Sequence, residues 1–271
     1  MCPHCRAFIT IKDKVCPYCN EALAPKQAQG DGMALVGGFI PHFRFNTMMI
    51  LLINFGLYIA TTIYAMQGGG EASFMNLDVR TLVAFGAKWN MGIAHGEIWR
   101  LVTAGFLHGN ILHILMNSWV LFDLGAQVEE VYGTSRMLVI YFVSSVAGFA
   151  ASAWWSPAVS VGASAALFGL IGAMIALGVR HQNPMGAAIR GMYLRWAIYG
   201  LVFGMISGFT DNAAHVGGLI AGFGIGYLAG VPALRAGAKE LAWRAAGWLC
   251  ILLTAVSFLK MYLWFVANPL R

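Results

Sequence analysis

Charged side chains are scarce in this sequence: Asp, Glu, Lys and Arg make up 10% of its 271 residues, whereas 59% are hydrophobic. Soluble domains carry about a quarter charged residues, so this composition excludes an ordinary soluble domain and indicates several membrane-spanning segments. The 33 glycines fit that class, because small residues let membrane helices approach closely. No helix or arm is rich in basic residues, which argues against nucleic acid as a partner.

Long polar stretches are also lacking after residue 46, where seven segments are apolar enough to cross, or nearly cross, a bilayer. The first residues, MCPHCRAFITIKDKVCPYC, have no apolar core, so we expect no cleavable signal peptide. We therefore predict an all-α polytopic membrane protein, embedded in the lipid bilayer. The spans are predicted at 47–66, 107–127, 136–153, 163–180, 193–208, 213–230 and 245–266.

Lysine and arginine are divided unevenly between the two sides of these spans. With a cytoplasmic N-terminus, twelve of the 17 basic residues fall on the inner side, and five fall on the outer side or in the last helix. This positive-inside bias predicts that orientation, in a bacterial cytoplasmic membrane. The connection 67–106 is then outside, and its apolar patches predict a folded element at the interface. Arg100, beside Trp99 and Glu97, is expected to tie it internally or to lipid headgroups.

Cysteine is rare as well, with five residues in the chain, yet four of them form two C-P-x-C pairs near the N-terminus. Two such pairs can surround one tetrahedral Zn²⁺, and thiols stay reduced in the cytoplasm. We predict a zinc-ribbon-like unit over residues 1–24 that metal largely folds, then a linker over 25–46; redox pairs or disulfides are the alternatives. We expect a docking or regulatory module with a cytoplasmic partner, or else a simple folded cap. The predicted ligands are Cys2, Cys5, Cys16 and Cys19.

Five polar side chains interrupt the apolar segments at similar depth. Ser164 lies in the fourth span, within VGASAALFGLIG, while His108, His113 and Asn117 lie in the second and His215 in the sixth. Alone, the serine could simply be a small packing residue. These three spans run in the same direction, and intramembrane polar groups are costly unless paired, so we expect them to face one another or a wet cavity.

A serine, a base and several donors at one level indicate acyl-transfer chemistry. A serine hydroxyl is a weak nucleophile until a base accepts its proton, and His215 is the best candidate. The Asn117 amide, the His113 imidazole and the Ser164 backbone N–H could stabilise the oxyanion. Asp123 and Asp211 are poorly placed to orient the histidine, so the prediction is a Ser–His dyad without a catalytic cofactor.

Other functions remain open on these residues alone. Three histidines near one serine could bind a metal ion, and a histidine-lined path could carry ions or protons. There is no internal repeat and no second polar cluster on the inner side, which disfavours transport.

Three motifs resemble those of rhomboid intramembrane serine proteases: H-x4-H-x3-N at 108–117, G-x-S at 162–164 and A-H-x2-G-x3-G at 214–222. They occur in the same order as in that family, and the pair Trp99–Arg100 is similar to its first loop. The resemblance covers about residues 45–235. It implies a six-helix core, here 47–235, and a seventh helix within 236–271 as in the six-plus-one members.

The resemblance also implies residue roles. Ser164 would be the nucleophile and His215 the base, with His113, Asn117 and the Ser164 amide at the oxyanion site and His108 supporting them. The implied substrates are transmembrane segments of other proteins, cut near their extracytoplasmic ends. A non-catalytic relative that binds and escorts membrane proteins is the alternative.

Two positions depart from the family pattern, in which glycine follows the serine and some members stack a tyrosine on the histidine. This chain has Ala165 and Phe168 there. A methyl group could crowd the oxyanion region, whereas a phenyl ring keeps the stacking. Gly218 and Gly222 belong to a G-x3-G-x3-G series through residue 226, which predicts close packing of the sixth span on the fourth.

Overall fold

The computed structural model describes residues 15–16, 18–19, 44–67, 74–208, 210–232 and 237–268. These residues contain no sheet strand; isolated bridges join Asn76 to Asn110 and Lys88 to Ser160. The predicted all-α class is therefore confirmed. The helices are α1 Phe45–Gln67, α2 Val79–Ala84, α3 Asn90–Ala94, α4 Arg100–Thr103, α5 Ile111–Val120, α6 Ala126–Tyr132, α7 Thr134–Trp155, α8 Ser164–Arg180, α9 Pro184–Ser207, α10 Asn212–Ala229 and α11 Ala238–Ala267.

Four helical stretches in the described part of the chain are long and apolar enough to cross a membrane. They are Phe45–Gln67, Ile111–Tyr132, Thr134–Trp155 and Ala238–Ala267. The second of these joins α5 to α6 through a π-helical turn, Leu121–Gly125. The shorter apolar helix α8, together with α9 and α10, occupies the other three predicted positions.

Two helices begin earlier than their hydropathy predicts. For α9 the expected start was residue 193, but the Asn183 side chain accepts a hydrogen bond from the Gly186 N–H at 2.8 Å, and Pro184 fills the first position. An asparagine cap followed by proline is a strong start signal. For α11 the expected start was residue 245, but its polar first turns pack on α7, where Arg136 makes a bidentate ion pair with Glu240 at 2.7 and 2.8 Å.

Helix α8 is the centre of the bundle. All its residues from position 165 through position 178 are buried. A Cβ atom added to Gly218 or Gly222 of α10 would overlap the carbonyl oxygen of Ala165 or Gly169 of α8, respectively. The glycine series therefore lies where α10 meets α8, and the two backbones touch because α10 carries no side chain at these points.

Helix α1 is capped by a side chain from a distant part of the sequence. The Glu129 carboxylate of α6, which is 2% exposed, accepts hydrogen bonds from the backbone N–H groups of Asn46 and Thr47 at 3.0 and 3.1 Å. It also accepts one from the Thr47 hydroxyl at 2.9 Å. Because the first N–H groups of a helix lack partners within that helix, this carboxylate completes α1 and joins it to α6.

The connection 74–106 is folded through helices α2, α3 and α4, as its composition predicts. Arg100 is fully buried and ties this connection internally rather than to lipid. Its guanidinium donates to the Glu97 carboxylate at 2.5 Å and to the Val83 carbonyl at 2.6 Å. It also stacks on two indole rings, 4.5 Å from Trp99 and 4.8 Å from Trp264 of α11. The seventh helix thus contacts this connection directly.

The chain divides into two compact units, residues 1–41 and 42–271. Two of the predicted zinc ligands, Cys2 and Cys5, lie outside the described residues; Cys16 is buried and Cys19 partly buried. Within the described residues, no group of three or more His, Cys, Asp or Glu side chains could hold a metal ion. The zinc site and the bounds of the N-terminal unit therefore stay predictions.

Candidate active site

Ser164 is the first residue of α8, and the glycine two residues earlier shapes the turn before it. Gly162 has φ +128°, a conformation that side chains disfavour, and an added Cβ would lie 2.6 Å from His113 Nε2. Its N–H donates to the Ala104 carbonyl at 2.9 Å. Only glycine adopts this φ without strain and leaves space for the His113 ring beside the turn.

His215 lies in the first turn of α10, where it meets the serine. Its Nε2 atom is 2.9 Å from Ser164 Oγ, which is hydrogen-bonding distance. The turn is fixed by Asp211, whose side chain accepts from the Ala214 N–H at 3.1 Å and whose carbonyl accepts from the His215 N–H at 3.1 Å. The close packing of α10 on α8 brings this turn within reach of Ser164.

No carboxylate among the described residues orients the histidine. Its Nδ1 atom is buried and has no hydrogen-bond partner in this part of the protein. The second oxygen of Asp211 instead accepts from the Ser152 hydroxyl of α7. What holds the imidazole is Phe168, whose ring stacks on it with 4.2 Å between centroids and 13° between planes. This arrangement is a dyad.

Two further donors, the side chains of His113 and Asn117, lie beside Gly162 in the turn before the serine. Asn110 caps α5 by accepting from the His113 N–H at 2.8 Å, which fixes the start of that helix. One turn on, the Asn117 side chain is 8% exposed, and its Nδ2 atom makes no hydrogen bond within the described residues. A Cβ on Gly162 would lie 3.4 Å from this amide nitrogen. A buried donor without a partner is unusual, and this one lies beside Gly162, two residues before the serine.

His108 packs against the His113 side chain. It is 1% exposed, and its ring packs edge-on against His113 with 5.1 Å between centroids. Neither ring nitrogen of His108 bonds to another group in the described part of the chain. Its observed role is therefore to pack against His113.

The comparison with protein families identifies the group to which this site belongs. The family model described as Rhomboid domain matches residues 95–231, which include all five polar residues of the site. This chain is a member of the rhomboid family.

Curated relatives agree with this assignment. Rhomboid protease GluP of Bacillus subtilis is 40% identical over 164 residues, which cover 60% of this chain and 32% of that protein. Rhomboid-like protease 2 of Toxoplasma gondii is 32% identical over 191 residues, 68% of this chain and 65% of that protein. RHOMBOID-like protein 6 of Arabidopsis thaliana, a mitochondrial protein, is 32% identical over 171 residues, 61% and 55% of the two chains. The matched regions thus span between about a third and two thirds of these relatives.

The methyl group of Ala165, where rhomboid sequences usually have glycine, lies against α7. It would be 2.8 Å from a Cβ on Gly148, and it packs in a cluster with Phe149 and Ala214. The methyl group therefore fills space where α7, α8 and α10 meet. The other departure, Phe168, is backed by Gly200 of α9, where an added Cβ would lie 2.6 Å from the phenyl ring.

Sequence reasoning missed several residues that hold this rhomboid site in place. Asn110 had a readable signal, because an asparagine before an apolar helical run is a common N-cap. Lys88 and Asn90 had none, since their side chains bind backbone carbonyls more than sixty positions away. Asp211, which the sequence places poorly for orienting His215, caps α10 and accepts a hydrogen bond from Ser152.

Proposed function

We propose that this rhomboid protein is an intramembrane serine endopeptidase that cleaves transmembrane segments near their extracytoplasmic ends. The observation that carries the proposal is the 2.9 Å separation between Ser164 Oγ and His215 Nε2. A nucleophile in direct contact with a base is what acyl transfer requires. The non-catalytic alternative is disfavoured, because a binding or escort factor has no need of this pair.

The proposed reaction has two stages. Ser164 Oγ attacks the scissile carbonyl carbon while His215 Nε2 accepts the hydroxyl proton. The tetrahedral oxyanion takes hydrogen bonds from the Asn117 amide, the His113 imidazole and the Ser164 N–H. Its collapse breaks the C–N bond, and His215 gives its proton to the leaving amine. Water then attacks the acyl ester carbon while His215 accepts its proton; collapse breaks the C–O bond to Ser164, and His215 returns that proton to Ser164 Oγ.

The substrate helix must open before it can be cut. Helical peptide carbonyls are bonded within the helix, and lipid provides no replacement partner. Small or helix-breaking residues near the cleaved bond lower the free energy needed to expose it. We infer a preference for transmembrane segments with such residues near the end that reaches the site.

The proposed topology has a cytoplasmic N-terminus in a bacterial inner membrane. The distribution of Lys and Arg supports it, because twelve of these residues then lie on the inner side and five on the outer side or in the last helix. The site then lies towards the extracytoplasmic surface, because α5, α8 and α10 all begin near it. Fusion of a periplasmic reporter enzyme to the loop before Pro184, which should be cytoplasmic, is expected to give no activity.

The N-terminal Cys₄ unit, residues 1–24, is proposed as a zinc-ribbon-like cytoplasmic module. The proposed remaining domains are a linker over 25–46, the protease core over 47–235 and the additional transmembrane helix within 236–271. The two matched C-P-x-C pairs of the N-terminal unit support zinc, and its side of the membrane supports docking or regulation rather than catalysis. We expect one zinc per wild-type chain and none in a Cys2→Ser, Cys16→Ser double variant. Deletion of residues 1–27 should leave cleavage in detergent largely intact; loss of activity in folded protein would contradict this separation.

The central test is cleavage of a model transmembrane substrate in proteoliposomes by wild type and Ser164→Ala. We expect cleavage by wild type alone, and a serine-reactive fluorophosphonate should label wild type but not the variant. Asn117→Ala should reduce kcat by about a hundredfold or more, as removal of an oxyanion donor does elsewhere. Cleavage that persists in Ser164→Ala would refute Ser164 as the nucleophile.

A further inference from the structure

Lys88 is a buried cation that the proposed reaction does not use. It follows α2 in the connection 74–106, and its side chain is 0% exposed. Burial lowers the pKa of its ammonium group below the usual value, while the negative charge of Asp211 acts in the opposite direction. Burying a charge is unfavourable unless it is well partnered, so its partners indicate what the charge stabilises.

Both ends of Lys88 bind the segment 156–163, which leads from α7 to Ser164. The ammonium donates to the carbonyl of Ser156 at 2.6 Å and to that of Ala158 at 2.9 Å. The Lys88 backbone exchanges two hydrogen bonds with Ser160, at 3.0 and 3.1 Å. Because Ser156 caps the C-terminus of α7, the cation also lies at the end of a helix that favours positive charge.

Neighbouring groups strengthen the same junction. The Asn90 side chain donates to the carbonyls of Ala153 and Ser156 at 3.0 and 3.1 Å. Asp211, close enough to act on the Lys88 charge, caps the helix that carries His215. The end of α7 and the segment before Ser164 therefore meet around one ammonium group.

The consequence for the site lies at the other end of the segment. Two residues beyond Ser160, the Gly162 N–H is bound to the Ala104 carbonyl. The segment is thus held at one end by Lys88 and at the other by Ala104, both from the connection 74–106. Gly162 makes room for His113 and precedes the Ser164 N–H, so a shift of this segment would displace the oxyanion donors relative to the nucleophile.

We propose that Lys88 is a positioning residue for the reaction: its ammonium fixes the segment 156–163 and, through it, the geometry of the oxyanion site at Ser164. This inference rests on the proposed protease function. A side chain in the connection 74–106 then contributes to kcat although it does not contact the substrate.

The test compares Lys88→Met with Arg80→Met in the full chain, reconstituted with a model transmembrane substrate. Methionine keeps an unbranched apolar stem and removes the charge, while Arg80 is an exposed cation on α2. We expect Lys88→Met to lower kcat by about ten- to a hundredfold with little change in KM, since small misplacements have effects of this size. Labelling by fluorophosphonate should slow in parallel, and Arg80→Met should match wild type.

Folding is measured separately, by thermal unfolding in detergent, and kcat is expressed per folded molecule. A lower unfolding midpoint with unchanged kcat would make Lys88 merely structural and overturn the inference. If Lys88→Met does not fold, Asn90→Ala decides, because it removes two bonds to the same junction and leaves the cation partnered. It should lower kcat in the same direction; an unchanged kcat in that variant would also overturn the inference.

These outcomes are distinguishable from failure of the proposed function. A wild-type protein that neither cleaves nor labels rejects the protease itself. An active wild type with an equally active Lys88→Met rejects only the positioning role. Hydrogen–deuterium exchange gives an independent readout, since the amides of residues 158–163 should exchange faster in Lys88→Met and at the wild-type rate in Arg80→Met.

Discussion

The phenyl ring of Phe168 lies almost parallel to the imidazole of His215, with 4.2 Å between ring centroids. Both rings come from helices whose close contact is made by glycine, and Gly200 of α9 leaves space for the phenyl group on its other side. In the absence of a carboxylate partner within the described residues, this stack is what sets the plane of the histidine.

Replacing Phe168 with leucine should lower kcat by about two- to tenfold, because aromatic pairs contribute about 0.5–1.5 kcal/mol beyond their buried area. Phe168→Tyr keeps the ring and should stay within about twofold of wild type. The measurement is steady-state cleavage of a transmembrane substrate, with fluorophosphonate labelling to count competent sites. Equal rates for the leucine and tyrosine variants would show that the stack does not matter.

Gly162→Ala should abolish most of the activity, by about a hundredfold or more. The new Cβ would lie 2.6 Å from His113 Nε2, so the histidine or the segment before Ser164 must move. Gly96→Ala is the matched control, since Gly96 also has positive φ, +92°, but nothing within 4 Å of an added Cβ. That control should lose about 1–2 kcal/mol of stability from backbone strain and keep its kcat. Similar activity in both variants would contradict the steric explanation.

Gly222→Ala should destabilise the protein and separate the dyad, because the added methyl group overlaps the backbone of α8. Gly224, on the same helix, has nothing within 4 Å of an added Cβ, so Gly224→Ala should be neutral or stabilising by up to about 1 kcal/mol. Thermal unfolding in detergent and the labelling rate of Ser164 measure the two effects. A neutral Gly222→Ala would mean that α10 can move away from α8 without consequence.

Trp264→Ala should weaken the attachment of α11 to the connection 74–106. The indole stacks on the Arg100 guanidinium at 4.8 Å, and a desolvated contact of this kind contributes about 2 kcal/mol. Trp248→Ala, on the same helix and 59% exposed, is the control and should unfold like wild type. Thermal unfolding gives the comparison, and limited proteolysis of residues 74–106 locates the loosened region. Identical behaviour of the two variants would argue against a specific role for this indole.

Removing the Glu129 carboxylate should destabilise α1. Glu129→Gln leaves one acceptor oxygen for three donors from Asn46 and Thr47, and an unsatisfied buried group costs about 1–3 kcal/mol. Glu130→Gln changes an exposed neighbour and should be silent. Denaturant titration of both variants measures the difference, and a silent Glu129→Gln would show that α1 does not need this cap.

The residues that meet at the site could be predicted because polar groups are rare in apolar helices and must find one another there. Ser164, His215, Asn117 and His113 interrupt otherwise apolar runs, and equal depth in parallel spans was enough to group them. Their assigned roles await the tests above. The fold class followed from the same scarcity of polar residues.

Other features had no sequence signal of that kind. Lys88 binds backbone carbonyls, which every residue possesses, so its partners leave no mark on the sequence. One of the indole rings that bury Arg100 belongs to Trp264, far along the chain, and nothing in the sequence near Arg100 indicates that contact. The early starts of α9 and α11 were missed because hydropathy locates apolar surface, whereas a helix begins where its first N–H groups find a cap.

The Glu129 carboxylate that caps α1 also constrains the order in which the helices assemble. Glu129 stands 83 residues after Asn46, so the ribosome must synthesise most of the second span, Ile111–Tyr132, before α1 can acquire its cap. Until then, the leading helix presents unpaired N–H groups at its start, which favours keeping that start in contact with water. The first two spans are therefore expected to mature as a pair during biosynthesis.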